Sequence, residues 1–164
     1  MKKGQAALEY LLTYGWAILM VIIVGASVYA LGIFTPGQWT GQRQTGFAAF
    51  NVVDFKLDED STLIIIFENR IGKTINLNDV TATFRGQECE FNISEVYDGQ
   101  YGVDTTNTTS ISPGKRYWTE LDCPADAELG ASYSINVGFE YEDPDSGLTH
   151  IDAGTLIGAV EPAQ

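Results

Sequence analysis

Hydrophobic positions along this chain follow two rules. Residues 10–34 form an unbroken, uncharged and mostly apolar run, whereas from residue 47 onward apolar and polar residues tend to alternate. The first pattern predicts one helix, about 37 Å long and able to cross a hydrocarbon layer of about 30 Å. Being apolar on every face, it must be surrounded by lipid or by other helices. The second pattern predicts strands at 47–55, 62–67, 80–84, 116–121, 132–141 and 148–157. The clearest of them, SYSINVGFEY, places Tyr133, Ile135, Val137, Phe139 and Tyr141 on one face.

Turn chemistry separates these strands at Asp58-Glu59-Asp60-Ser61, Ile71-Gly72-Lys73, Arg85-Gly86, Ser112-Pro113-Gly114 and Asp143-Pro144-Asp145-Ser146-Gly147. Residues 98–112 (DGQYGVDTTNTTSIS) are polar and poor in aliphatic side chains, which predicts an exposed loop or a long hairpin excursion. Six to eight short strands punctuated in this way argue for an all-β sandwich, Ig-like in general character. The expected fold class is therefore α+β: a long N-terminal hydrophobic helix over 5–34, a linker over 35–46 and a β-sandwich head over 47–164. Pro36 and the glycines at 37, 41 and 46 mark the linker.

Charge sharpens the division. The chain carries −13 overall. Residues 35–164 hold seven Lys or Arg against 21 Asp or Glu, which leaves −14 there. Such a surface repels phosphate backbones and anionic lipid, so nucleic acid is not an expected partner. The lysines, Lys2 and Lys3, precede the apolar run, which points the N-terminus to the cytoplasm and the acidic part outward. The two cysteines, Cys89 and Cys123, lack CxxC spacing and are too few for a zinc site. Outside the cytoplasm a disulfide is the natural reading, with two buried thiols as the alternative.

Within residues 4–34 one charge stands out, Glu9. A secretory signal peptide cleaved after Val28-Tyr29-Ala30 would have an apolar stretch of 7 to 15 residues, shorter than this one. A plain membrane anchor explains the length but gives Glu9 no task. Lys2-Lys3-Gly4, then Gln5-Ala6-Ala7-Leu8-Glu9-Tyr10 and an unbroken apolar helix, resembles the class III signal peptide of archaeal type IV pilins. The resemblance covers about residues 2–34. It implies a cut by prepilin peptidase between Gly4 and Gln5, so that residues 1–4 are a leader and the helix is retained to pack into a filament. Archaeal pilins also share the plan of an N-terminal helix bearing a β-rich head. The implied partners are further copies of the chain, the peptidase with its assembly machinery, and the membrane while the precursor waits in it. The implied location is the archaeal cell surface.

Cleavage at that point would create an α-amine at Gln5, largely cationic at neutral pH. A carboxylate among apolar helices is costly when alone and less so beside an amine. Pairing of Glu9 with the Gln5 amine of a neighbouring subunit would fix axial register. An i, i+4 contact within one chain, cyclisation of Gln5, and recognition of Glu9 by the peptidase or the assembly platform are the competing explanations. Gly25, Ala26 and Ala30 are candidates for close helix packing, Ala26 and Ala30 as a small-xxx-small pair. Tyr10, Tyr14 and Trp16 read as an interfacial aromatic belt.

The head offers little chemistry. Asn92-Ile93-Ser94 and Asn107-Thr108-Thr109 are N-glycosylation sequons. Asp143 to Gly147 is acidic but lacks the ligand ladder of a calcium loop and reads as a hairpin turn. His150 has no cysteine or second histidine near it in sequence, and no catalytic or phosphate-binding motif occurs. No cofactor, metal or enzymatic activity is expected. The expected function is a structural, adhesive pilus subunit. The alternatives are a surface binding protein that borrows a pilin-like signal, or a conventionally secreted β domain. A deep aromatic-lined cleft in the head would favour the binding protein.

Overall fold

The computed structural model describes residues 2–30, 41–102, 106–124 and 126–163, with side chains for all of these but 2–8, 11, 93 and 94. The chain divides into two units, Met1–Thr35 and Pro36–Gln164. In the first, helix α1 (Lys2–Ala30) is continuous. Its Val21-Ile22-Ile23-Val24 run is β-branched and favours strands in water. In apolar surroundings the helix wins, because it satisfies every interior backbone group within one segment. Its hydroxyls obey the same constraint: Thr13 Oγ1 donates to the Glu9 carbonyl at 2.9 Å and Ser27 Oγ to the Ile23 carbonyl at 2.7 Å. The expected end of the helix near residue 34, and the first half of the expected linker, lie outside the described residues.

The second unit is a sandwich of two antiparallel sheets. Sheet A runs β1 (Arg43–Thr45), β11 (Leu148–Ala159), β10 (Ser132–Asp143), β4 (Ile75–Phe84) and β5 (Gln87–Glu88), with β8 (Ser110–Ile111) also on β4. Sheet B runs β2 (Phe50–Leu57), β3 (Thr62–Asn69), β9 (Arg116–Asp122), β6 (Glu90–Asp98) and β7 (Thr106–Asn107). The alternation in β10 is realised as expected: Tyr133, Ile135, Val137 and Phe139 are buried and Ser132, Ser134 and Asn136 exposed. Phe50 and Phe67 from sheet B meet Phe139 from sheet A at ring separations of 4.8 and 4.9 Å. All three rings are fully buried, which makes this triad the centre of the core.

Where the chain passes from sheet A to sheet B, between β1 and β2, three successive amides converge on one side chain. The Asp152 carboxylate accepts the N–H groups of Ala48, Ala49 and Phe50, each at 2.9 Å, and the Ala48 amide again at 3.2 Å through its other oxygen. Asp152 lies on β11 and is itself buried, so its charge is met by donors that would otherwise be orphaned at the crossing. The crossing is tight. A Cβ on Gly154 would come within 2.5 Å of both the Phe47 ring and the Thr45 carbonyl.

Cys89 and Cys123 are joined, S–S 2.04 Å, as expected. The bridge ties the segment between β5 and β6 to the end of β9. On the chain-entropy account, a loop of this length contributes about 4 kcal/mol. Asn69, buried at the end of β3, donates to the carbonyls of Lys73 and Ile111 and accepts the Ile71 amide, holding three segments together.

Three expectations need correction. The linker assigned to 35–46 contains β1, whose residues pair with Thr155–Ile157 of β11. The stretch 98–112, expected as an exposed loop or a long hairpin excursion, contributes the short strands β7 and β8, but it is not exposed throughout, since Ile111 is fully buried. Strand β6 was not anticipated, because its pairing shifts register between Phe91 and Val96 and so breaks the period-two signal.

Replacing Asp152 by alanine strands three backbone donors at the crossing. The expected loss is about 2–4 kcal/mol, read as a lower denaturant midpoint for the full chain in detergent, while Asp122→Ala on the exposed end of β9 stays within about 0.5 kcal/mol of the parent.

Candidate functional site

Two surfaces are candidates for function. The first is α1. Its span Leu12–Ala30 is long and apolar enough to cross a membrane, and none of it is buried within the chain. Trp16 is 65% exposed, Val21 72% and Tyr29 78%. Gly25 has nothing within 4 Å of where a Cβ would sit, and Ala26 and Ala30, one turn apart, are exposed. The small residues thus leave room along the helix without filling it. Glu9 is exposed, and Tyr10 stacks on Tyr14 with ring centroids 4.9 Å apart. Gly4 and Gln5 belong to the helical backbone, but their side chains lie outside the described residues, so the structure leaves a Gln5–Glu9 contact open.

The second surface is the outer face of sheet B. It would be solvated in a simple sandwich, yet Trp118 on it is only 6% exposed. Tyr97 stacks on Trp118 at 4.2 Å and Tyr101 meets it edge-on at 4.9 Å. Tyr101 comes from the stretch read in sequence as a solvated loop. Its hydroxyl donates to Glu120 Oε1 at 2.9 Å. Beside it runs an open trough of about 480 Å3, lined by Val53, Asp54, Ile66, Gln100, Tyr101 and Arg116. A smaller hollow of about 120 Å3 shares Asp54, Ile66 and Tyr101 with it and adds Lys56 and Ile64. The sequence signal for this feature was present in the aromatic spacing of Tyr97, Tyr101 and Trp118, but only the fold brings them together.

The remaining candidates separate. Asn92 on β6 and Asn107 on β7 are both exposed. Asn92 Nδ2 donates to Glu95 Oε1 at 3.1 Å, and Asn107 pairs across from Tyr97. The Asp143–Gly147 stretch is a hairpin turn, closed by the Gly147 amide on the Asp143 carbonyl at 2.7 Å. Lys73 Nζ bonds both Asp143 and Asp145, and this lysine holds the Asp143 carboxyl below its usual range. Asp58, read as part of a turn, is buried and accepts the Thr62 amide at 2.9 Å. His150 is exposed with its ring tilted against Tyr141 at 5.5 Å. Among the described residues no group of three His, Cys, Asp or Glu is placed to hold a metal. No protein-family model matches the chain, and no curated protein matches it significantly.

Burial, and after it the hydrogen bond to Glu120, pushes the Tyr101 hydroxyl up to about 12. Burial pushes Tyr133 up to about 12 as well. The neutral form is thus favoured in the fold, while in the unfolded chain these groups ionise near 10.0. Stability is expected to be level below that point and to fall as pH climbs from 10 towards 12. For Tyr133, which is 4% exposed, the slope approaches about 1.4 kcal/mol per pH unit. Denaturant midpoints measured across that window should flatten in Tyr133→Phe. An unchanged slope would reject burial of this hydroxyl as the cause.

Proposed function

We propose that this chain is the structural subunit of an extracellular filament of the archaeal type IV pilus kind, with an adhesive role. The observation that carries the reading is α1: a membrane-length apolar helix, exposed along its described length, with a single carboxylate near its start. In water such a surface is not tolerated, and burial against other copies removes it at about 25 cal/mol per Å2. The precursor waits with this helix in the cytoplasmic membrane, N-terminus inside. Prepilin peptidase removes residues 1–4, and the retained helices bundle as the filament core. Glu9 pairs with the Gln5 amine of a neighbour and sets the axial offset, since an apolar bundle alone has no preferred register.

The head supports this reading. Its acidic surface keeps it soluble and its disulfide suits an oxidising exterior. Asn92 and Asn107 lie exposed on adjoining strands of sheet B, where glycans would cover the outside of the filament. A receptor reading favours a deep aromatic-lined cleft, whereas the trough on sheet B is open and has one aromatic ring, Tyr101, in its lining.

Mass spectrometry of the mature protein should find an N-terminus at Gln5, and a start at Leu31 ends the proposal. Glu9→Ala should be processed and inserted normally but yield filaments at least tenfold fewer by electron microscopy, the order expected when a desolvated charge pair is removed. Abundant normal filaments from that variant would remove the register role of Glu9.

A further inference from the structure

Five residues on successive strands of sheet B stand in one row. Asn107 on β7 is paired with Tyr97 on β6, Tyr97 with Trp118 on β9, Trp118 with Ile66 on β3, and Ile66 with Asp54 on β2. Residues directly opposite one another on antiparallel strands share a face, so the row runs along the outer face of the sheet. Its middle is a stack. Tyr97 lies against Trp118 with ring centroids 4.2 Å apart and planes 24° from parallel, close to the spacing of adjacent strands. Tyr101 meets Trp118 edge-on and lines the trough with Ile66 and Asp54, so it approaches the indole from the side away from Tyr97. Tyr97 is half-buried. One face of its ring is covered by Trp118, and the other turns to β7, where the row ends at Asn107.

The pairing there is a close one. The Thr108 amide donates to the Val96 carbonyl at 2.9 Å, one residue beyond Asn107 and one before Tyr97. That pattern makes Asn107 and Tyr97 a non-hydrogen-bonded pair, the kind in which side chains approach most closely. Asn107 is exposed and opens the sequon Asn107-Thr108-Thr109. Strand β7 has two residues and ends the sheet, so little holds it in place. A bare edge strand is also a template for unwanted pairing.

We propose that the first sugar of a glycan on Asn107 packs on the open face of Tyr97, extends the Trp118–Tyr97 stack by one member, and pins β7 to the sheet. The sugar is a pyranose with a face of C–H bonds, which covers a ring face as a second aromatic would. Its attachment joins Asn107 Nδ2 to the anomeric carbon of a lipid-phosphate-linked oligosaccharide. The bond from that carbon to the phosphate oxygen breaks, and the amide gives up one proton. Farther sugars pass beyond β7 and shield the edge of sheet B. Asn92 is placed differently: it lies within the register shift of β6, outside the aromatic row, and its Nδ2 donates to Glu95 Oε1. The inference rests on the exterior, glycosylated head of the proposed function, and not on filament assembly.

Hydrogen exchange read by mass spectrometry tests it, on the full mature chain purified in detergent from the cells that make it. Asn107 should carry a glycan. Amides of residues 96–98 and 106–108 should exchange about fivefold more slowly in the parent than in Thr109→Ala, the order expected of one ring contact. Tyr97→Phe should keep that difference and Tyr97→Leu abolish it, while Ser94→Ala, which removes the other sequon, should leave the amides of 106–108 unchanged. An unmodified Asn107 would overturn the proposal together with the glycosylation it rests on. Full occupancy with equal exchange in the parent and Thr109→Ala means a sugar that points into solvent, and overturns the contact alone. That comparison leaves Tyr97 intact, so it decides the matter even where Tyr97→Leu fails to fold. Protection that survives in Tyr97→Leu, or is lost equally in Ser94→Ala, would also overturn the stack.

Discussion

Everything in this molecule answers to the helix. The span of nineteen residues from Leu12 to Ala30 exposes mostly apolar side chains on all sides, and none of it is buried among the described residues. Fully burying one large aliphatic or aromatic side chain is worth about 1.5–3 kcal/mol. Summed along the span, the gain from leaving water is tens of kcal/mol, larger than the whole stability of an ordinary domain. The helix therefore has two admissible environments, lipid or other helices. Any account of the protein must say how it stays in one of them or passes between them.

The head is built on the opposite principle. It has its own aromatic core, a disulfide, and a crossing point where one buried carboxylate gathers three amides. These devices let it hold its shape without help from the helix. Its negative charge keeps it in water and discourages heads from meeting at random. Hydrophobic burial drives association but is non-directional. Order within an assembly must come from the few groups that are neither greasy nor uniformly acidic, and the chain has few of them.

How much of this could be read from residues alone depended on how local the signal was. The helix was legible because one unbroken run decides it, and β10 because its alternation is nearly perfect over 132–141. Cys89 and Cys123 were legible by elimination. By contrast, β6 hides its period behind a register shift, and β1 is three exposed residues made a strand only by β11. The role of Asp152 could not be seen, since its partners lie over a hundred residues upstream. The trough on sheet B was invisible for a related reason. Tyr101 sits in a polar stretch, and only the return of that stretch over Trp118 turns it into a wall.

Register is the problem that an apolar helix leaves unsolved. Parallel apolar rods can slide along one another at little cost, because every offset buries similar area. In the proposed filament Glu9 penalises wrong offsets near the start of the helix, where a lone carboxylate is desolvated unless an amine meets it. That contact does not need to be strong. The helices supply the affinity, and a polar mismatch of one or two kcal/mol, repeated in every subunit, is sufficient to choose one arrangement among many that are nearly equal in buried area.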